Sequence, residues 1–127
     1  MPGTLLLNSE SPHRLCLNDR QVAAFVRAAT AEGVRVGTTA MTVIEADHAR
    51  VNPARIRWAL SPIDVHDVTR EIGDQAAALL REHRRHGHKD ATAAAFARSA
   101  PGPVTVLTSD PEGLSLLCGP RVSVIGL

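Results

Sequence analysis

Four residues far apart in this chain, Asn8, Glu45, Asp90 and Asp110, each lie at the edge of an element that the sequence predicts. Three carry a carboxylate and the fourth an amide, so all four offer oxygen. Hard divalent cations such as Mg²⁺ or Mn²⁺ take oxygen ligands and usually keep several waters. A carboxylate cluster that holds one or two such ions activates water and stabilises the charge of phosphodiester cleavage. Asn8 stands where a fourth acid makes immediate chemical sense. Its amide oxygen can ligate a hard cation, but it brings no negative charge and its NH₂ group cannot accept a metal. Each acid also has a plainer role open to it. Asp90 and Asp110 suit helix N-caps, and Glu45 suits a solvated helix position.

The elements that must position these residues alternate along the chain. Thr4 to Leu7 is a short continuous apolar run, as expected of a strand buried on both faces. Asn18 or Asp19 caps a helix carrying Val22, Phe25, Val26 and Ala29, which stops near Gly33. Residues 34–39 read as a strand and 41–50 as a helix, with Pro53 opening another through Trp58. Residues 62–65 are a weak strand. Val68, Ile72, Ala76, Leu79 and Leu80 form the clearest amphipathic stripe. Residues 90–100 are Ala-rich and helical. Residues 104–109 are a strand, 112–118 a short helix, and 122–125 a last strand. This alternation predicts an α/β fold with a parallel sheet covered by helices on both faces. Functional groups of such sheets gather outside the carboxyl ends of the strands, where these four residues can converge.

The chain has 127 residues, 44% of them hydrophobic, with a net charge of +1, and reads as one domain spanning 1–127. Phe25, Phe96 and Trp58 are its three aromatics, so the core must be Leu, Val, Ile and Ala, which suits thin helices packed closely on a sheet. The near-neutral charge does not by itself announce a nucleic-acid binder. Cys16 and Cys118 are widely separated and read as reduced packing residues. With no signal-like start and no long apolar run, a soluble cytoplasmic protein away from the membrane is expected. No glycine-rich phosphate loop follows the first strand, since residues 8–12 hold no glycine, which argues against a doubly wound small-molecule domain.

Four segments carry a resemblance: residues 5–8 (LLLN), 38–46 (TTAMTVIEA), 89–97 (KDATAAAFA) and 107–117 (LTSDPEGLSLL). In order and spacing the chain resembles the PIN domain, best known from the VapC-type toxins of bacterial toxin–antitoxin pairs. The resemblance covers nearly the whole chain, and the last two segments are the most specific. It implies a three-layer α/β/α sandwich with a central, mainly parallel sheet and a metal-dependent endoribonuclease. Glu45, Asp90 and Asp110 would be the catalytic residues and, with Asn8, the Mg²⁺ or Mn²⁺ ligands. Thr108 or Ser109 would orient them. An RNA substrate, an antitoxin protein and a homodimer follow from the same resemblance. The departure is Asn8, where the family has its first Asp. Ser9 and Glu10 are the nearby oxygen donors that stand in line to substitute. A catalytically weakened PIN-like domain that binds RNA or protein without cleaving is therefore the alternative.

Residues 81–89 (REHRRHGHK) form the densest basic stretch and lead into Asp90. Arg84, Arg85 and Lys89 suit a phosphate-tracking edge beside the site. The same stretch also reads as the solvated end of a helix, where cations are favoured. His83, His86 and His88 lack partners at metal-ligand spacing and read as incidental. His13 and Arg14 follow the first strand closely enough to face the site. Trp58 reads as a hydrophobic anchor for the core or for a partner surface.

Overall fold

A computed structural model describes residues 3–8, 11–17, 19–48, 52–84 and 87–127, with the side chains of 45–48 outside that description. Ser9, Glu10, Asn18, Arg85 and His86 therefore lie outside the described residues, as does the Glu45 side chain.

Five strands form one sheet: β1 (Thr4–Leu7), β2 (Arg35–Thr39), β3 (Asp64–His66), β4 (Val104–Thr108) and β5 (Val122–Gly126). Their order is β3-β2-β1-β4-β5, and every neighbouring pair is parallel. Each connection therefore crosses over through helix. The described helices are α1 (Ser11–Cys16), α2 (Arg20–Ala31), α3 (Ala40–His48), α4 (Pro53–Leu60), α5 (Arg70–Glu82), α6 (His88–Ser99) and α7 (Pro111–Cys118). None is long and apolar enough to cross a membrane.

Side chains alternate across each strand, and the two faces feed separate cores. Leu6, Val104, Val106 and Val122 pack under α5, α6 and α7. Leu5, Leu7, Val36 and Leu107 pack with Cys16, Val22, Ile56 and Leu60 from α1, α2 and α4. The result is a three-layer α/β/α sandwich. Helix α6 lies deepest. Ala91, Ala93, Ala94, Ala95 and Ala97 are all buried, because the helix is enclosed by the sheet, α5 and α7. A helix buried on all sides shows little amphipathic periodicity, and the alanines let it approach the sheet closely.

The boundaries follow from local chemistry. Asp19 is the N-cap of α2, its carboxylate accepting from the Val22 N–H at 3.1 Å. Asn52 caps α4 in the same way through the Ala54 N–H, with Pro53 in the first turn. Thr69 caps α5, so Val68 lies before the helix and is exposed rather than part of its stripe. Helix α1 was not expected. Its signal is Ser11-Pro12, since proline is favoured in a first helical turn.

Cys16 and Cys118 are both free and buried, and they lie in the two cores on opposite faces of the sheet. Burial pushes the Cys118 thiol up to about 11; the Arg98 charge opposes this and the Asp90 charge adds to it. The folded state thus favours the neutral thiol. Its contribution to stability is complete below the ordinary value of 9.0 and is lost as pH rises through about 11. Urea melts at about pH 8 and about pH 10.5 should show wild type losing on the order of 1–2 kcal/mol more than Cys118→Ala. Enlarging the buried methyl of Ala94 should also destabilise: Ala94→Leu is expected to cost about 1–3 kcal/mol in the same assay by forcing α6 off the sheet.

Candidate functional site

The carboxyl edge of the sheet is built on buried polar groups. Asn8, one residue beyond β1, is only 1% exposed. Its N–H donates to the Leu107 carbonyl at 2.9 Å, and its own carbonyl accepts from the Ser11 N–H at 3.1 Å. These bonds turn the chain from β1 into α1. Around it, Ser11, Thr38, Thr39, Thr42 and Thr108 are all buried. The Ser11 hydroxyl donates to the Leu107 carbonyl and the Thr38 hydroxyl to the Leu7 carbonyl, each at 2.7 Å. Thr39 and Thr42 join hydroxyls at 3.0 Å, and the Thr42 N–H donates to the Thr39 hydroxyl at 3.4 Å. Parallel strands end here in a dry place, and small hydroxyls complete the hydrogen bonding that their last carbonyls need.

Asp90 and Asn8 meet on this floor. The Asn8 Nδ2 donates to Asp90 Oδ1 at 3.2 Å, joining residues 82 apart in the chain. The cap role that the sequence leaves open for Asp90 is not the one it takes. Helix α6 begins two residues earlier, Gly87 is its N-cap, and no side chain caps it. Asp90 sits in the first turn, where the positive helix end favours a carboxylate, and is half-buried. Its carboxylate is thereby turned toward the end of β1.

Asp110 does take the cap role. It is the N-cap of α7, with Oδ1 accepting from the Gly113 N–H at 3.2 Å. Its own N–H donates to the Thr108 hydroxyl at 3.1 Å. Gly113 is needed for this arrangement, because a Cβ there would stand 2.3 Å from Asp110 Oδ2. Asp110 is exposed and follows β4, which adjoins β1 in the sheet. Ser109 is exposed and makes no hydrogen bond among those described. Glu45 lies on α3, directly after β2, with its side chain outside the described residues.

Among the described residues, no group of three or more His, Cys, Asp and Glu lies close enough together to hold a metal. The described donors are two carboxylates and the amide of Asn8. All are hard oxygen donors of the kind that Mg²⁺ or Mn²⁺ accepts, so their chemistry fits such an ion. One detail qualifies the set. Asn8 presents its NH₂, its non-ligating group, to Asp90. In the present arrangement the amide supplies the positive end that a bound ion would otherwise offer to the Asp90 carboxylate.

The basic stretch divides between elements. Helix α5 stops at Glu82, with His83 at its C-cap and Arg84 exposed just beyond. His83 approaches Glu82 at 4.0 Å. Lys89 lies in the first turn of α6, adjacent to Asp90 in sequence. His13 is in α1, with a buried Nδ1 that lacks a hydrogen-bond partner among the described residues. Trp58 is 77% exposed, which excludes a core role; Ile44 and Leu17 are exposed with it on the side of α1, α3 and α4. The sequence reading missed Ser11, Thr38, Thr39, Thr42 and Gly113. Threonine or serine directly after an apolar strand was the available signal.

Neither a family model nor a curated relative matches the chain. Among solved structures it is similar to a chain in the crystal structure of VapBC2 from Rickettsia felis bound to a DNA fragment from their promoter. The TM-score is 0.74 over 98% of both chains, at 12% identity. The likeness is one of fold, and together with the five-stranded parallel sheet it makes this fold PIN-like.

The Asn8–Asp90 bond makes a direct prediction about charge. Asn8→Asp replaces a donor by a second carboxylate facing Asp90. In EDTA this variant should be less stable than wild type by on the order of 2 kcal/mol. Added Mn²⁺ should raise its melting temperature more than that of wild type, because a cation relieves the repulsion. An equal response of the two proteins in thermal melts would remove Asn8 from any metal site.

Proposed function

We propose that this chain is a PIN-fold, metal-dependent endoribonuclease, the toxin of a toxin–antitoxin pair. The observation that carries the reading is the contact between Asn8 and Asp90 at the carboxyl edge of a PIN-like sheet, with Asp110 on the adjoining strand end. Asp90, Asp110, Glu45 and the amide oxygen of Asn8 would hold Mg²⁺ or Mn²⁺. The ion, when bound, supplies an activated water and neutralises charge on the phosphate. The residues of the chain do the positioning. Thr108 holds the backbone of Asp110, and α7 fixes its carboxylate through Gly113. Asn8 holds Asp90. Arg84, Arg85 and Lys89 attract the RNA backbone toward this edge.

The similar fold of VapBC2, crystallised with a DNA fragment from their promoter, supports an antitoxin partner for this chain. The exposed Leu17, Ile44 and Trp58 support a protein contact on the side of α1, α3 and α4, with an antitoxin or with a second copy in a homodimer. A cytoplasmic location agrees with both.

A second reading is favoured by the same hydrogen bond. Asn8 satisfies Asp90 without a cation, as expected of a PIN-like domain that binds RNA or a protein partner and no longer cleaves. One assay separates the two. RNA cleavage with Mg²⁺ or Mn²⁺ is measured for wild type, Asn8→Asp and Asp110→Ala. On the first reading wild type cleaves and Asp110→Ala falls by about a hundredfold or more. On the second, wild type is inert and Asn8→Asp gains activity. If none of the three cleaves RNA or binds the ion, both the metal site and the nuclease fail.

A further inference from the structure

A cavity of about 690 Å³ opens along the β3 side of the sheet. It lies beside the amino ends of β1 and β2, under the carboxyl end of α6. Its lining includes Thr4, Arg35, His66, Asp67, Phe96 and Ser99. Asp90 and Ser99 stand at opposite ends of α6, roughly 14 Å apart along the helix axis. Asn8, Asp90 and Asp110 do not line the cavity.

Its wall is aromatic. The edge strand β3 has only three residues, so the sheet is short beside α6. The His66 ring folds back across β2 and stacks on Phe96, with centroids 4.2 Å apart and planes at 29°. Gly37 makes room for it: a Cβ at that position would lie 2.8 Å from His66 Nε2. Phe96, half-buried, thus packs against the core of α5, α6 and α7 and also presents a stacked aromatic pair to the cavity. Two charges stand on the same lining. Arg35 and Asp67 are exposed, and among the described residues neither forms an ion pair.

A planar wall, an uncommitted guanidinium and an uncommitted carboxylate define three features of a ligand. Stacked rings receive a flat aromatic ring. A guanidinium matches a phosphate or carboxylate bidentately. A carboxylate accepts from hydroxyl or amino groups. The volume falls in the range of small-molecule sites and exceeds what an aromatic amino acid fills. We propose that this cavity binds a mononucleotide, with the base against the His66–Phe96 pair, the phosphate at Arg35 and the sugar hydroxyls at Asp67. This site is independent of the nuclease reading and stands whether or not the carboxyl edge cleaves RNA.

The test is a titration of the full chain with AMP, followed by calorimetry and by amide chemical shifts. Adenosine, inorganic phosphate and phenylalanine are the comparison probes. AMP should bind more tightly than any of the three and shift amides around Thr4, Arg35, Asp67 and Ser99. Arg35→Ala should weaken AMP about tenfold, the loss expected for one charge-assisted contact. Phe96→Leu keeps the apolar volume and should weaken AMP and adenosine alike, while leaving phosphate unchanged. Circular dichroism checks that both variants fold; Arg35 is exposed, so its loss leaves the core intact. Asp90→Asn should not alter AMP affinity. The proposal is overturned if AMP shifts no amide in the cavity, if phosphate or phenylalanine binds as well as AMP, or if Asp90→Asn weakens AMP and Arg35→Ala does not.

Discussion

Everything at both ends of this molecule depends on how closely α6 lies on the sheet. Five buried alanines allow the helix to pack against β2 and β4 on one side and against α5 and α7 on the others. Interiors are close-packed, so a single added branch on this helix must push something away. The displacement would be felt where the helix meets the strand ends. At its amino end the helix delivers Asp90 to hydrogen-bond distance of Asn8. At its carboxyl end it delivers Phe96 to His66. Small side chains in the middle thus hold two distant sets of polar groups at a fixed height above the sheet.

The Asn8–Asp90 contact then sets the electrical character of the carboxyl edge. Asn8 is almost wholly buried, and the carboxylate it faces is half-buried. A carboxylate in such a place needs a hydrogen bond, a cation or a proton. The amide provides the first of these from within the chain. Two carboxylates at the same separation would need one of the others. The amide of Asn8 therefore engages the Asp90 carboxylate in the absence of metal, through its one non-ligating group.

The sequence revealed some of this and withheld some, for identifiable reasons. The five strands are legible because short apolar and β-branched runs alternate with helical spacing. The cap at Asp110 is legible because Ser-Asp-Pro is a local signal. The alanine run is legible as helix, yet nothing in its periodicity shows which way Asp90 points, since a helix buried on all sides has no solvent face to read. The true start at His88, with Gly87 as the cap, turns the carboxylate into the site. The hydroxyl floor was hidden for another reason. Thr38 and Ser11 acquire their partners from strands distant in sequence, Thr39 and Thr42 pair with each other only where β2 turns into α3, and threonine is an ordinary strand residue. The pairing of Gly37 with His66 is wholly tertiary, because it joins a glycine on one strand to a ring on its neighbour.

On the nuclease reading, a neutral residue in place of an acid at position 8 would act in opposite directions on the two partners of the site. A cation is held less firmly, because Coulomb attraction from one carboxylate is gone. An RNA backbone is repelled less, for the same reason. In a four-acid site the metal must be present before a phosphate can approach, because the bare carboxylates exclude it. With Asn8 the bare edge carries less charge, and the Asp90 charge is already engaged by the amide. Binding of an anion and binding of a metal would therefore be less tightly linked at such an edge than in a site of four acids. On the nuclease reading, the chain should tolerate RNA at this edge over a wider range of metal concentration than it needs for cleavage. On the non-cleaving reading, the same charge balance lets it hold RNA with no metal at all.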